Sequence, residues 1–198
     1  MPSSTVLDNV FINKLGQHQK QVYHTILQKL GDEIPNFKEK DTFGFQALAT
    51  PLSILNMTYP QEAFSTYVAA DDFSTPFQGS TRELHVKEGL YNTMNYERVT
   101  QPYEQITNFS YKPDILKKYG RIFDLENIGK YSAKIESICN SILHSTGIVL
   151  IYSRYLEGGL LPMALALEEM GFSRYSYSSH VRPFLKEKKP YLNPLNMQ

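Results

Sequence analysis

Ser153 and Arg154 are the residues of this sequence best placed to do chemistry. They follow Ile148-Val149-Leu150-Ile151-Tyr152, five apolar residues in a row, and stand ahead of the Gly158-Gly159 pair. In open α/β sheets, ligands bind beyond the carboxyl ends of strands. A hydroxyl and a guanidinium there, beside a glycine pair and the start of a helix, make an anion site: the guanidinium forks onto phosphate oxygens and the helix start offers backbone N–H groups. The same pair also reads as a serine that closes a turn and an arginine in solvent. Pattern alone leaves both readings open.

Other reactive side chains form no constellation. The sequence has no GxxxxGK[ST] phosphate loop, no GxGxxG, no GxSxG nucleophile elbow and no acidic cluster after a buried strand. His18, His24, His85, His144 and His180 show neither HExxH nor HxH spacing, and one cysteine cannot build a zinc cluster or an internal disulfide. Cys139 falls on the apolar stripe of a helix and reads as inert core, in a chain suited to a reducing compartment. Glu168-Glu169 reads as a solvated face, and His144 as a cation near a helix C-terminus. This inventory argues against a self-sufficient enzyme.

The elements that would position these groups follow from periodicity. Residues 17–30 place Val22, Tyr23, Ile26, Leu27 and Leu30 on one helical face, with Gly31 as a stop. Residues 9–13 read as a short strand or extended lead. Residues 45–59 carry a second helix interrupted at Pro51 and ended by Pro60. Residues 61–108 lose long periodicity and read as an irregular insertion. Residues 111–119 suit a short helix with Pro113 in its first turn. Residues 132–145 form the clearest helix, capped by Ser132, with Ile135, Ile138, Cys139, Ile142 and Leu143 as its apolar stripe. The run 148–152 then reads as a strand covered on both faces. Residues 153–159 read as a loop, 160–170 as a helix stopped by Gly171, and 172–177 as a second strand. This is a βαβ unit with a right-handed crossover.

The whole chain has 198 residues, 41% of them hydrophobic, enough to bury a core. Its 20 basic and 20 acidic residues balance, which excludes a uniformly basic nucleic-acid coat but not local patches. Its C-terminal part is basic: Arg174, Arg182, Lys186, Lys188 and Lys189 face only Glu187. That part reads either as a second phosphate contact or as an unfolded end made by truncation. The first residues lack a signal-peptide pattern, and the apolar stretch 148–170 is broken by Arg154, Glu157, Glu168 and Glu169, so no membrane span is expected. Aromatic usage is lopsided, with 14 tyrosines, 11 phenylalanines and no tryptophan.

The segment KYSAKIESICNSILHSTGIVLIYSRYLEGGLLPMALALEEMGFSRY, from Lys130 to Tyr175, resembles the motif IV region in the second RecA-like lobe of superfamily 2 helicases. The resemblance is to the helicase and early-transcription-factor ATPases of large nucleocytoplasmic DNA viruses, relations of the poxvirus early transcription factor and the Swi/Snf-type translocases. It rests on a strand, a "YS" turn, a glycine pair and an LALE-x-x-GF helix. VFINKLGQHQKQVYHTIL, with Gln19 and Tyr23, and ATPLSILNMTYP resemble the lead into that lobe; 61–108 matches weakly.

The resemblance implies an α/β fold: a partial RecA-like parallel sheet flanked by helices, with an irregular insertion. Residues 1–60 would be a helical lead into the second lobe, 61–108 the insertion, and 109–198 a partial C-terminal lobe truncated before the final motifs. The implied function is part of an ATP-dependent helicase or translocase, in which Ser153, Arg154 and Lys134 touch the backbone of the tracking strand. Lys134 equally reads as a solvated helix lysine. No residue is implied to be catalytic. ATP and magnesium would belong to the full-length parent and not to this fragment alone. Arg174 and Arg182 come too early to be the arginine finger. The implied partners are nucleic acid, DNA ahead of RNA, a missing first lobe and viral transcription machinery, with no membrane. The implied setting is intracellular: a virion, host cytoplasm or viral factory. A reading of another class is a non-catalytic viral protein-interaction module acting through the aromatic-rich insertion, since tyrosine gives contact area at low entropic cost.

Overall fold

The computed structural model describes residues 11–31, 49–60, 89–101, 104–175 and 183–186. The lead at 9–13 falls partly outside this set. Residues 11–16 run without regular structure into helix α1 (Gln17–Gly31). Ile26 of α1 is buried against Ile54, with Val22 and Tyr23 packed alongside, as the spacing of the apolar face requires. Ile54 belongs to helix α2 (Ala49–Asn56). Pro51 does not interrupt α2 but lies in its first turn, where a missing N–H costs no intrahelical bond. Met57, Thr58, Tyr59 and Pro60 leave α2 as buried coil.

Residues 89–93 are helical and lead into an antiparallel hairpin of β1 (Met94–Gln101) and β2 (Glu104–Tyr111). The register runs from Met94 opposite Tyr111 to Gln101 opposite Glu104. The irregular insertion expected at 61–108 is therefore partly regular, and its stretch 61–88 lies outside the described residues. Part of the aromatic excess goes into this hairpin. Tyr91 meets Tyr96 edge-on at 5.2 Å, Tyr96 leans on Phe109 at 5.5 Å, and Phe109 is fully buried. Residues 183–186 lie along β2, where Leu185 forms a parallel bridge to Phe109.

Three helices follow. α3 (Pro113–Tyr119) starts with proline and has Asp114 in its first turn and Lys117 and Lys118 in its last, a charge order that suits the helix dipole. α4 (Leu125–Tyr131), which periodicity does not reveal, is capped by Asp124, whose carboxylate accepts the Glu126 N–H at 3.1 Å. α5 (Ala133–Leu143) starts at Ser132, whose hydroxyl accepts the Ile135 N–H at 3.0 Å, as the sequence predicts. A π-helical turn (Leu156–Leu160) then opens helix α6 (Leu161–Glu169), so 153–159 is more ordered than a loop. Gly171, at φ 98°, ends α6 in the left-handed region that glycine tolerates best. One main core joins these elements through Met57, Leu90, Phe109, Phe123, Ile128 and Leu165.

The chain is thus a mixed helix and strand fold, as expected at the coarse level, but the sheet differs. Among the described residues it has two strands and they are antiparallel. The run 148–152 forms no ladder. Its exposure alternates instead: Ile148 103%, Val149 45%, Leu150 92%, Ile151 half-buried and Tyr152 89%. That alternation is the period of an extended chain with one side on its own core. The physical reason is that an apolar run is covered on both faces only where neighbouring strands flank it and helices cover both faces of the sheet. The described sheet lies elsewhere. Residues 172–175 likewise form no strand, and 176–177 lie outside the described set.

Candidate nucleic-acid interface

The side chain of Ser153 is engaged by its own turn. Its hydroxyl donates to the Tyr155 carbonyl and accepts the Tyr155 N–H, both at 3.1 Å. A hydroxyl has one proton, so Ser153 keeps only acceptor capacity for a ligand while this turn is closed. Gly159 makes the arrangement possible. A Cβ there would lie 2.2 Å from the Ser153 hydroxyl, so any side chain would push the turn apart.

Arg154 follows with an exposed side chain. Among the described residues it makes no hydrogen bond, ion pair or ring contact. Lys134 is exposed in the first turn of α5, where a cation opposes the helix dipole. Its ammonium donates to Asn56 Oδ1 at 2.6 Å. The backbone carbonyl of the same asparagine accepts from the Ser132 hydroxyl at 2.6 Å. Helix α2 packs on both α5, which carries Lys134, and the π-helical turn that follows Arg154. Two residues of the basic part are engaged: Arg174 stacks over Phe184 at 5.0 Å and Lys186 pairs with Glu97 at 2.6 Å. Arg182, Lys188 and Lys189 lie outside the described residues.

What holds this surface in place is a set of buried polar staples. Glu168 and Glu169 are 3% and 2% exposed, which corrects the expectation of a solvated face. Glu169 accepts Arg121 Nε at 3.0 and 2.8 Å and the Tyr111 hydroxyl at 2.7 Å. The Tyr111 oxygen in turn accepts the Phe123 N–H at 3.2 Å. Burial, then the Glu169 charge, holds the Tyr111 hydroxyl protonated far above the usual tyrosine range. Glu168 accepts the backbone N–H groups of Phe184 and Leu185 at 2.9 and 2.8 Å. These contacts fix α6 and hence the turn at 153–160 that enters it. A signal for them was present: seven apolar residues, 161–167, precede the two acids, so the helix is apolar all round and acids continuing it must be buried and paired.

Gln19 works the same way at the other end. Fully buried, it donates to the Ile54 carbonyl at 2.8 Å and the Leu55 carbonyl at 3.3 Å, and accepts the Ala133 N–H at 3.2 Å. It closes the C-terminus of α2 and the N-terminus of α5 together, satisfying groups that helix ends leave unpaired.

A cleft of about 590 Å³ opens where α1 meets α4, lined by Gln17, His18, Gln21, Tyr119, Glu126 and Lys130 among others. His18 is committed within it: Nε2 donates to the Tyr59 carbonyl at 2.8 Å, and the ring stands edge-on to Tyr131 at 5.5 Å. Among the described residues no three His, Cys, Asp or Glu side chains could hold a metal ion.

Compared with known proteins, this chain matches no family, no curated protein and no solved structure.

Proposed function

We propose that this chain lays a phosphate-contacting surface on nucleic acid as part of the second lobe of an ATP-dependent superfamily 2 translocase. The translocases of large nucleocytoplasmic DNA viruses are the family that Lys130 to Tyr175 resembles. The observation that carries the reading is Arg154. It is an exposed guanidinium with no partner among the described residues, set by a closed turn between an extended segment and a helix. Phosphate oxygens are the ligand that such a fork suits, and contacts of this kind give affinity and register without reading sequence. Lys134 is the second contact, exchanging Asn56 for a phosphate oxygen. Ser153 acts chiefly by holding the turn that aims Arg154.

The finer architecture, a partial RecA-like parallel sheet, belongs to the same proposal and requires a parallel neighbour along 148–152. ATP chemistry belongs to the rest of such a machine, and no step of it is assigned to residues of this chain.

The test is a salt series with labelled single-stranded and duplex DNA. Binding weakens as salt rises, with each phosphate contact adding about 0.7 to the log–log slope on single strands and about 0.9 on duplex. Arg154→Ala lowers that slope by roughly one contact, and Arg154→Lys keeps most of it. No binding at low salt, or an Arg154→Ala slope equal to that of the parent chain, sinks the reading.

A further inference from the structure

The turn that enters α6 is wider than a helix requires. The Leu160 N–H reaches back to the Tyr155 carbonyl at 3.0 Å, and the Leu161 N–H reaches the Leu156 carbonyl. Both bonds span one residue more than an α-turn does. Such π-turns are rare and collect at functional sites. Pro162 supplies the physical cause. In α spacing the carbonyl that falls to position 162 is that of Gly158, and a proline there presents a ring in place of an N–H. Gly158 is buried, so its carbonyl would be orphaned away from water. In π spacing the carbonyl left over is that of Glu157, which is only half-buried. The wide turn moves an unavoidable orphan from a dry position to a wetter one.

We infer that Pro162 is a positioning residue: through the π register it sets where Ser153 and Arg154 stand on the surface. The link is Gly159. It lies in the wide turn, and its backbone backs onto Ser153 so closely that a Cβ would stand 2.2 Å from the hydroxyl. That hydroxyl closes its own turn on Tyr155, and Arg154 is the residue in between. Narrowing the turn from π to α takes one residue out of the ring. The chain ahead of it then rotates by about 100° and slides about 1.5 Å relative to α6. Helix α6 does not follow, because Arg121 and Tyr111 hold Glu169 and the backbone of Phe184 and Leu185 holds Glu168. The displacement falls on 153–155, and Arg154 loses its aim. The phosphate contact of Arg154 rests on the translocase reading; the register and the aim do not.

Pro162→Ala tests this. It restores the missing N–H, removes the ring and adds a better helix former. Scalar couplings across hydrogen bonds read the register. In the parent chain the Leu160 nitrogen couples to the Tyr155 carbonyl carbon. In the variant it couples to that of Leu156, and the new amide at position 162 couples to that of Gly158. A spin label on Arg154→Cys reads the aim without DNA: the amides it broadens differ between the parent and Pro162→Ala backgrounds. In the salt series Pro162→Ala loses one contact, about 0.7 of slope on single strands and about 0.9 on duplex, as Arg154→Ala does. The double variant loses no more than Arg154→Ala alone. Gly159→Ala, with Pro162 in place, opens the same turn from the other side and loses the same contact. Couplings that keep the π spacing in Pro162→Ala overturn the inference. So does a narrowed register with an unchanged broadening pattern, or with the full salt slope of a DNA-binding parent. A parent chain that binds no DNA sinks the translocase reading and leaves the couplings and the spin label to decide this one.

Discussion

Helix α6 and the run 148–152 lie close together in the chain and invert each other's rules. The helix carries two carboxylates into the core, and the run carries three large apolar side chains out into water. The difference teaches that partners, more than polarity, decide burial here. Glu168 finds two backbone N–H groups and Glu169 finds a guanidinium and a hydroxyl, so both acids sit inside at tolerable cost. Ile148, Leu150 and Tyr152 find no neighbouring element among the described residues, so hydrophobicity alone does not bury them.

The contrast can be broken in a graded series. Glu169→Ala has the largest effect: it removes the buried acceptor that Arg121 and the Tyr111 hydroxyl share and costs about 3–5 kcal/mol in urea unfolding. A loss below about 1 kcal/mol would mean that the pair is not buried as described. Glu168→Gln comes next, costing roughly 1.5–3 kcal/mol, because an amide places N–H against N–H at one of its two contacts. Faster hydrogen exchange at Phe184 and Leu185 accompanies it, while exchange within α5 stays the same.

Cys139 gives a smaller, pH-dependent signal. Burial, then the Glu136 charge, pushes its thiol from near 9 up to about 12. The fold therefore holds this proton more tightly than the unfolded chain does. The corresponding stabilisation is complete below pH 9 and is lost as pH rises toward 12. Comparing thermal midpoints of the parent chain and Cys139→Ala across that window isolates it. Below pH 9 the native thiolate is therefore far scarcer than in a free thiol, so disulfide reagents label the native chain slowly and the unfolded chain fast. The smallest effect is Leu150→Asn. It changes stability by less than about 0.5 kcal/mol, and a larger loss would show that the apolar run is covered.

Helices with strong local signals were legible in the sequence. The stripe Ile135–Cys139–Ile142 and the cap Ser132 locate α5, and Pro113 locates the start of α3. The hairpin was not, because residues 101–104, QPYE, lack the Asn-Gly or Asp-Gly that marks tight hairpins. Nor was α4, whose seven residues are too short to show a period and whose only mark is Asp124. At the candidate site, the turn-closing role of Ser153 was legible because its partner is two residues away. The support of that site was not: Glu169 meets Arg121 across 48 positions, and Glu168 meets backbone groups that no side-chain pattern announces. The described residues show no ladder along 148–152 for the converse reason, since five apolar residues state a preference for cover without supplying it.

The carboxamide of Gln19 has a bearing on the chain's birth. It joins the Ala133 amide across 114 positions. At about 5–20 residues per second, a ribosome needs roughly 6–23 s to make the stretch between them. Throughout that interval α1 and α2 exist without the N–H that completes their junction. The junction of α1 and α2 is therefore a late finisher, waiting on a helix made long after it, and chaperone dependence should fall most heavily on this interval.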